Sequence, residues 1–147
     1  MSALQTILAP TDFSELAARA IAYAFELASA RGGKVHIMHA YNVPTYPDGL
    51  AIGVDIVTPI EQAAQRALAL QADKYASRPE LGGVILEMGD ARESIVRHAK
   101  QLSADLIVMG THGRTGFSHM LLGSVAERVV RTAPCPVLVV PAVQAGQ

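Results

Sequence analysis

The chain contains no tryptophan, a single cysteine and few aromatic residues, and each shortage removes a class of function. Aromatics make up 5% of its 147 residues, too few to build a stacking platform for nucleic-acid bases. Cys135 has no second cysteine to pair with, which excludes an intrachain disulfide and a cysteine-based zinc site. A lone cysteine suits a reducing compartment. The formal net charge is −1 with both signs interspersed, so no electrostatic footprint for nucleic acid or for an anionic membrane is present. No apolar run approaches the roughly 18 residues that suggest a membrane span. The opening "MSALQTILAP" lacks the basic start and small-residue cleavage site of a secretory signal. The expectation is a cytoplasmic protein with neither a nucleic-acid nor a membrane partner.

Half of the residues are apolar, and the length fits one domain, residues 1–147, able to bury a core. The hydrophobic pattern alternates between two periods. "LQTILAP" (Leu4–Pro10) reads as a strand. From Ser14 the apolar residues Leu16, Ala20, Ala24 and Leu27, backed by Ala17, Ile21, Phe25 and Ala28, recur at helical spacing until Arg31 and Gly32-Gly33 signal a stop. A strand over Lys34–Val43 follows, then a Pro- and Gly-containing irregular stretch over 44–56. A second helix carries Ile60, Ala63, Ala64, Ala67, Leu68 and Tyr75 on one side. "GVILEMG" (Gly83–Gly89) is a third strand, and Ile95, Val96, Ala99 and Leu102 mark a third helix. "DLIVMG" (Asp105–Gly110) is apolar enough to be buried on both faces. Val125, Val129 and Val130 mark a fourth helix, and "PVLVVP" (Pro136–Pro141) is a fifth strand. The methionines at 38, 88, 109 and 120 are expected to pack in the core or at its rim.

Four helix starts carry one signature, a capping side chain three residues before a glutamate: Asp12 and Glu15, Thr58 and Glu61, Asp90 and Glu93, Ser124 and Glu127. Each cap contributes on the order of 1 kcal/mol. Strand–helix alternation predicts an α/β fold, a doubly wound five-stranded parallel sheet of order 3-2-1-4-5 with helices on both faces. A ligand in such a sheet binds beyond the carboxyl ends of the strands, where strand order reverses. That crevice lies between the first and fourth strands. It brings together Pro10, Thr11 and Asp12 on one side and Gly110 onward on the other.

The stretch "GTHGRTGFSHMLLGS" (Gly110–Ser124) starts at that crevice. Its glycines admit a bulky anion, and Ser124, read as the cap of the fourth helix, places free amides and the positive helix end beside it. Arg114 can add a charge-assisted contact. The same glycines also suit a plain strand-to-helix turn, and both readings stand on residue type alone. Asp12 can cap its helix, or hold a ribose hydroxyl or Mg²⁺, or do both. His39 reads as a satisfied rim histidine, His112 and His119 as exposed loop histidines, and Cys135 as a small buried apolar group.

The spacing Gly110-x2-Gly113-x9-Gly123-Ser124, followed by "VAERVVRTAPCPVLVV", resembles the nucleotide-binding signature of the universal stress proteins. "ILAPTDFSE", "HAYNV" and "DLIVMGTHGRTGF" are similar to other parts of that family, in the same order, over Thr6–Pro141. The resemblance implies an adenine-nucleotide α-hydrolase-like fold and ATP, with or without Mg²⁺, as ligand. By the same resemblance Asp12 lies near the ribose or the metal-phosphate region and is the candidate metal ligand. The Ala40 backbone contacts adenine, and Met109 and Gly110 flank the nucleoside. Gly113, Arg114, Gly123, Ser124 and Val125 hold the phosphates. It also implies a homodimer. The apolar last strand, Pro136–Pro141, supports that independently, because an unpaired sheet edge invites a second chain.

Rival readings of the architecture fail on residues. No glycine-rich turn follows the first strand, no G-x4-G-K-[ST] string occurs, and "LEMGD" and "VLVVP" do not supply the aspartate and lysine of a phosphorelay receiver. No catalytic triad or metal cluster is legible, so no catalytic residue is named. The expected function is a nucleotide-dependent binding or signalling protein of the stress response with at most slow ATP hydrolysis; a slow ATPase or phosphotransferase is the competing class.

Overall fold

The computed structural model describes residues 3–47, 53–112 and 122–142. Nine elements alternate along the described residues: β1 (Thr6–Pro10), α1 (Glu15–Arg31), β2 (Lys34–Tyr41), α2 (Val57–Asp73), β3 (Leu81–Met88), α3 (Ala91–Gln101), β4 (Leu106–Gly110), α4 (Ser124–Thr132) and β5 (Val137–Val140). The strands form one parallel sheet of order β3-β2-β1-β4-β5, as the alternation predicts. Four of these strands are shorter than the runs expected from sequence, because pairing stops where neighbours end, while β3 starts two residues earlier than expected, at Leu81. Asp105, for example, lies outside β4, and its carboxylate accepts from the Gln5 and Thr6 amides, both at 2.9 Å, at the entry to β1.

The pleat divides the core in two. Ile7, Ala9, Val35, Ile37 and Val108 point to one face, where they pack with Ala20, Ile21, Ala24 and Phe25 of α1 and Leu68 and Ala72 of α2. Leu8, Met38, Ile107 and Met109 point to the other, against Ile95 and Ala99 of α3 and Ala126 and Val129 of α4. β4 is buried on both faces, since Val108 joins one cluster and Ile107 and Met109 the other. Phe25 adds an aromatic stack on Tyr75, 4.0 Å between centroids, just past the end of α2.

The helix ends depart from expectation in three places. α1 stops as predicted, with Gly32 at φ 70°, a left-handed conformation that glycine adopts without penalty. Its start is capped by Ser14, whose Oγ accepts from the Ala17 amide at 3.1 Å, and not by Asp12. α2 is served by Asp55 rather than Thr58: Asp55 Oδ1 accepts from the Val57 and Thr58 amides, both at 3.1 Å. α4 has Gly123 at the cap position with no side-chain hydrogen bond, and Ser124 is its first helical residue. Asp90 caps α3 as expected, accepting from Arg92 N at 2.8 Å.

Three apolar positions are also exposed against expectation. Ala63 lies on the outer side of α2. Val130 is 47% and Met88 60% exposed. Met88 ends β3, an edge strand, so one of its flanks has no neighbour. Met120 lies outside the described residues.

Candidate functional site

Where β1 ends, the chain turns sharply into α1. Pro10 and Thr11 are buried there and Asp12 is half-buried. The Thr11 amide donates to Met38 O at 2.7 Å, extending the β1–β2 pairing by one residue. Thr11 Oγ1 accepts from the Phe13 amide at 2.9 Å, and Asp12 Oδ1 accepts from the Ser14 amide at 3.0 Å. These two side chains close consecutive turns. Between them Phe13 is driven to φ 67°, a conformation costing on the order of 1–3 kcal/mol for a residue with a side chain. Two contacts compensate. The Phe13 ring lies against His39, 4.2 Å between centroids. His39 Nδ1 is 2.7 Å from the Thr11 carbonyl, so that nitrogen carries the proton. His39 is the satisfied rim histidine the sequence suggests.

Ala40, next along β2, packs against the second core cluster and is in register with Glu87 of β3. Glu87 binds His98 Nε2 at 2.7 Å and also Arg97. The hydrogen bond from His98 is the first cause holding the Glu87 carboxyl below its ordinary range, with Arg97 assisting against some desolvation.

At the end of β4, Met109 is buried and Gly110 half-buried. A Cβ on Gly110 would lie 2.8 Å from Cγ of Leu16. The missing side chain therefore lets α1 close on the strand end. Thr111 continues the ladder, its amide donating to Val140 O at 3.0 Å. The Gly123 amide then donates to the Thr111 carbonyl at 2.6 Å. That bond ties the start of α4 to the end of β4. Gly113, Arg114 and His119 lie outside the described residues.

Gly123 has no side chain to occupy the amides of the first turn of α4. Ser124, exposed, and Val125, half-buried, follow it. A helix start of this kind carries partial positive charge. His112, read from sequence as an exposed loop residue, is different in the fold. Its Nδ1 is 2.9 Å from Thr111 Oγ1, and its Nε2 is buried with no hydrogen-bond partner among the described residues. No pattern in the sequence signals that burial. Among the described residues no group of three or more His, Cys, Asp or Glu could hold a metal ion.

The fold thus brings Pro10–Asp12, Met109–Gly110 and Gly123–Val125 to one end of the sheet, with Ala40 on the next strand across. The β1–β4 register, Ile7 with Leu106 and Leu8 with Ile107, lies nearer the amino ends of the two strands and stops short of that end. This is an α/β protein whose strand order reverses between β1 and β4, where these residues meet. Residues 3–141 match the model of the universal stress protein family. Universal stress protein MJ0531 of Methanocaldococcus jannaschii is 38% identical over 141 residues, covering 91% of this chain and 80% of that protein. The solved structure of universal stress protein UspA from Lactobacillus plantarum aligns with a TM-score of 0.81 at 26% identity, over 95% of this chain and 99% of that one. A universal stress protein solved in complex with cAMP aligns with a TM-score of 0.70 at 27% identity, over 95% and 98%. The chain belongs to the universal stress protein family.

Proposed function

We propose that this chain, as one domain over residues 1–147, binds an adenine nucleotide, ATP, in the crevice between β1 and β4 and works as a nucleotide-dependent homodimer in stress response. The observation that carries this reading is the Gly123–Thr111 hydrogen bond. It brings an open helix start to the strand end where a doubly wound sheet takes its ligand. In this reading the first-turn amides and the hydroxyl of Ser124 receive phosphate oxygens, with Val125 beside them. Gly113 and Arg114 complete that cradle. Ala40 offers a small surface to the flat base, Met109 and Gly110 flank the nucleoside, and Pro10, Thr11 and Asp12 line the ribose side. ATP supplies the phosphoanhydride bonds; the chain's own residues bind and orient them. A Mg²⁺ accompanying ATP near Asp12 would take most of its ligands from phosphate and water. The family neighbour in complex with cAMP supports an adenine nucleotide as the ligand class.

The experiment is direct. Freshly purified protein is denatured and the released small molecules are identified by mass. An adenine nucleotide near one per chain is the expected result. If none is released and none binds on addition, the reading is wrong.

A further inference from the structure

The helical layers on the two faces of the sheet carry different charge. α3 and α4 present Arg92, Arg97, Lys100, Arg128 and Arg131 against Glu93 and Glu127. α1 and α2 instead set Arg19, Arg31 and Arg66 against Glu15, Glu26, Glu61 and Asp73. The surplus of cations is concentrated further. An open groove of about 280 Å³ runs between α3 and α4, lined by Arg92, Arg97, Lys100 and Arg128, with Val96 as its apolar element and Glu93 its one carboxylate among the described residues. Arg92 is already paired with Asp90 at 2.6 Å, and Arg97 with Glu87. Lys100 and Arg128 have no carboxylate partner among the described residues.

We propose that the groove between α3 and α4 docks an acidic, amphipathic segment of a partner protein, with carboxylates on Lys100 and Arg128 and an apolar side chain on Val96. The charge of the groove selects the chemistry. Two unpaired cations flank an apolar spot, and two neutralised arginines beside them can still share hydrogen bonds. A nucleic-acid strand fits less well. Glu93 interrupts the row of cations that a phosphate backbone needs, and the lining offers no aromatic ring for bases. Discrete carboxylates on a peptide can pass Glu93 without meeting it. The groove is lined from Arg92 to Lys100 along α3 and by Arg128 and Thr132 of α4, and none of these residues belongs to the proposed nucleotide site.

The test titrates the isotope-labelled protein with a capped acidic peptide bearing glutamates on either side of one leucine, and separately with a short single-stranded oligonucleotide. Saturable amide shifts centred on Val96, Lys100 and Arg128 are expected with the peptide, with a Kd tighter than about 1 mM at low salt. Lys100→Glu combined with Arg128→Glu should weaken that binding at least about tenfold, and Arg66→Glu on α2 should leave it unchanged. The amide spectrum of the double variant reports that it is folded. The proposal is overturned if the shifts map elsewhere, if the double variant binds as well as the parent, or if the oligonucleotide occupies the groove as tightly as the peptide.

Discussion

The Gly123 amide donates to the Thr111 carbonyl at 2.6 Å, so the two ends of the glycine-containing segment are held together at the carboxyl end of β4. Gly123 itself sits at φ −72° and ψ 167°, a conformation open to any residue. Gly123→Val should therefore fold. Its branched side chain would fill the space over the first turn of α4 where a phosphate is proposed to sit. ATP at about 100 times its Kd stabilises a folded protein by roughly 2.7 kcal/mol, a Tm rise of about 5–11 °C for a chain this long. Thermal melts should show that rise in the parent and none in Gly123→Val. A full rise in the variant would remove α4 from the site.

Gly110 tests whether a glycine of the signature serves packing. A Cβ there would meet Leu16 Cγ at 2.8 Å. Gly110→Ala should destabilise by about 1–3 kcal/mol through overpacking. Adding Leu16→Ala makes room, so the double variant should cost less than the two single changes summed. Urea unfolding of the four proteins gives the cycle. Strict additivity would mean the clash is relieved elsewhere.

The parts of the fold legible in sequence were those set by local periodicity and by strong stops. Arg31 with Gly32 marks the end of α1, and the unbroken Ile107–Val108–Met109 run marks a strand covered on both faces. The helix starts were less legible, because a cap depends on the backbone path into it. Phe13, at positive φ, inserts a turn that moves the cap of α1 from Asp12 to Ser14, and no residue in "PTDFSE" announces it. Ser124 resembles a cap by type but falls one residue inside α4. The candidate site was legible as a location, through strand order. What tertiary contact creates there was not: the approach of Leu16 to Gly110, the bond from His39 to Thr11, and the buried Nε2 of His112.

Asp90 provides a test by pH. The Arg92 hydrogen bond is the main cause holding its carboxyl down to about 2, helped by the backbone amides of Arg92 and Glu93. The unfolded carboxyl titrates near about 3.9. A carboxyl with a lowered folded value stabilises fully above its unfolded value and loses that stabilisation as the pH falls through the folded one. Asp90→Ala should cost about 1 kcal/mol at neutral pH, the typical worth of a cap. The gap between parent and variant should close between about pH 4 and pH 2. A gap that stays constant over that range would show that the Asp90 charge contributes nothing.

Cys135 is half-buried beside the second core cluster. Burial, with the Asp105 carboxylate adding to it, pushes the thiol above its ordinary value. The thiolate is the reactive form. Alkylation by iodoacetamide at pH 7.5 should therefore be slower for the folded protein than for free cysteine, and should recover the ordinary rate in denaturant. A folded rate at or above that of free cysteine would contradict this placement of the thiol.

β5 is an edge strand, and its ladder indicates which groups it leaves unpaired. Ile107 N donates to Pro136 O, and Thr111 N to Val140 O. In a parallel ladder, bonding to one neighbour alternates along the strand, so the amides and carbonyls of Val137 and Val139 face away from β4. Those are the groups that a second copy would pair with under the proposed homodimer. Proline is tolerated at an edge position whose N–H faces outward. Val139→Pro should thus keep the β4 pairing, at the cost of some packing, while removing one donor and obstructing a strand laid alongside. Sedimentation at tens of micromolar should give a dimer for the parent and a folded monomer for the variant. A parent that sediments as a monomer would reject the edge-to-edge dimer outright, and a variant that stays dimeric would move the interface to another surface.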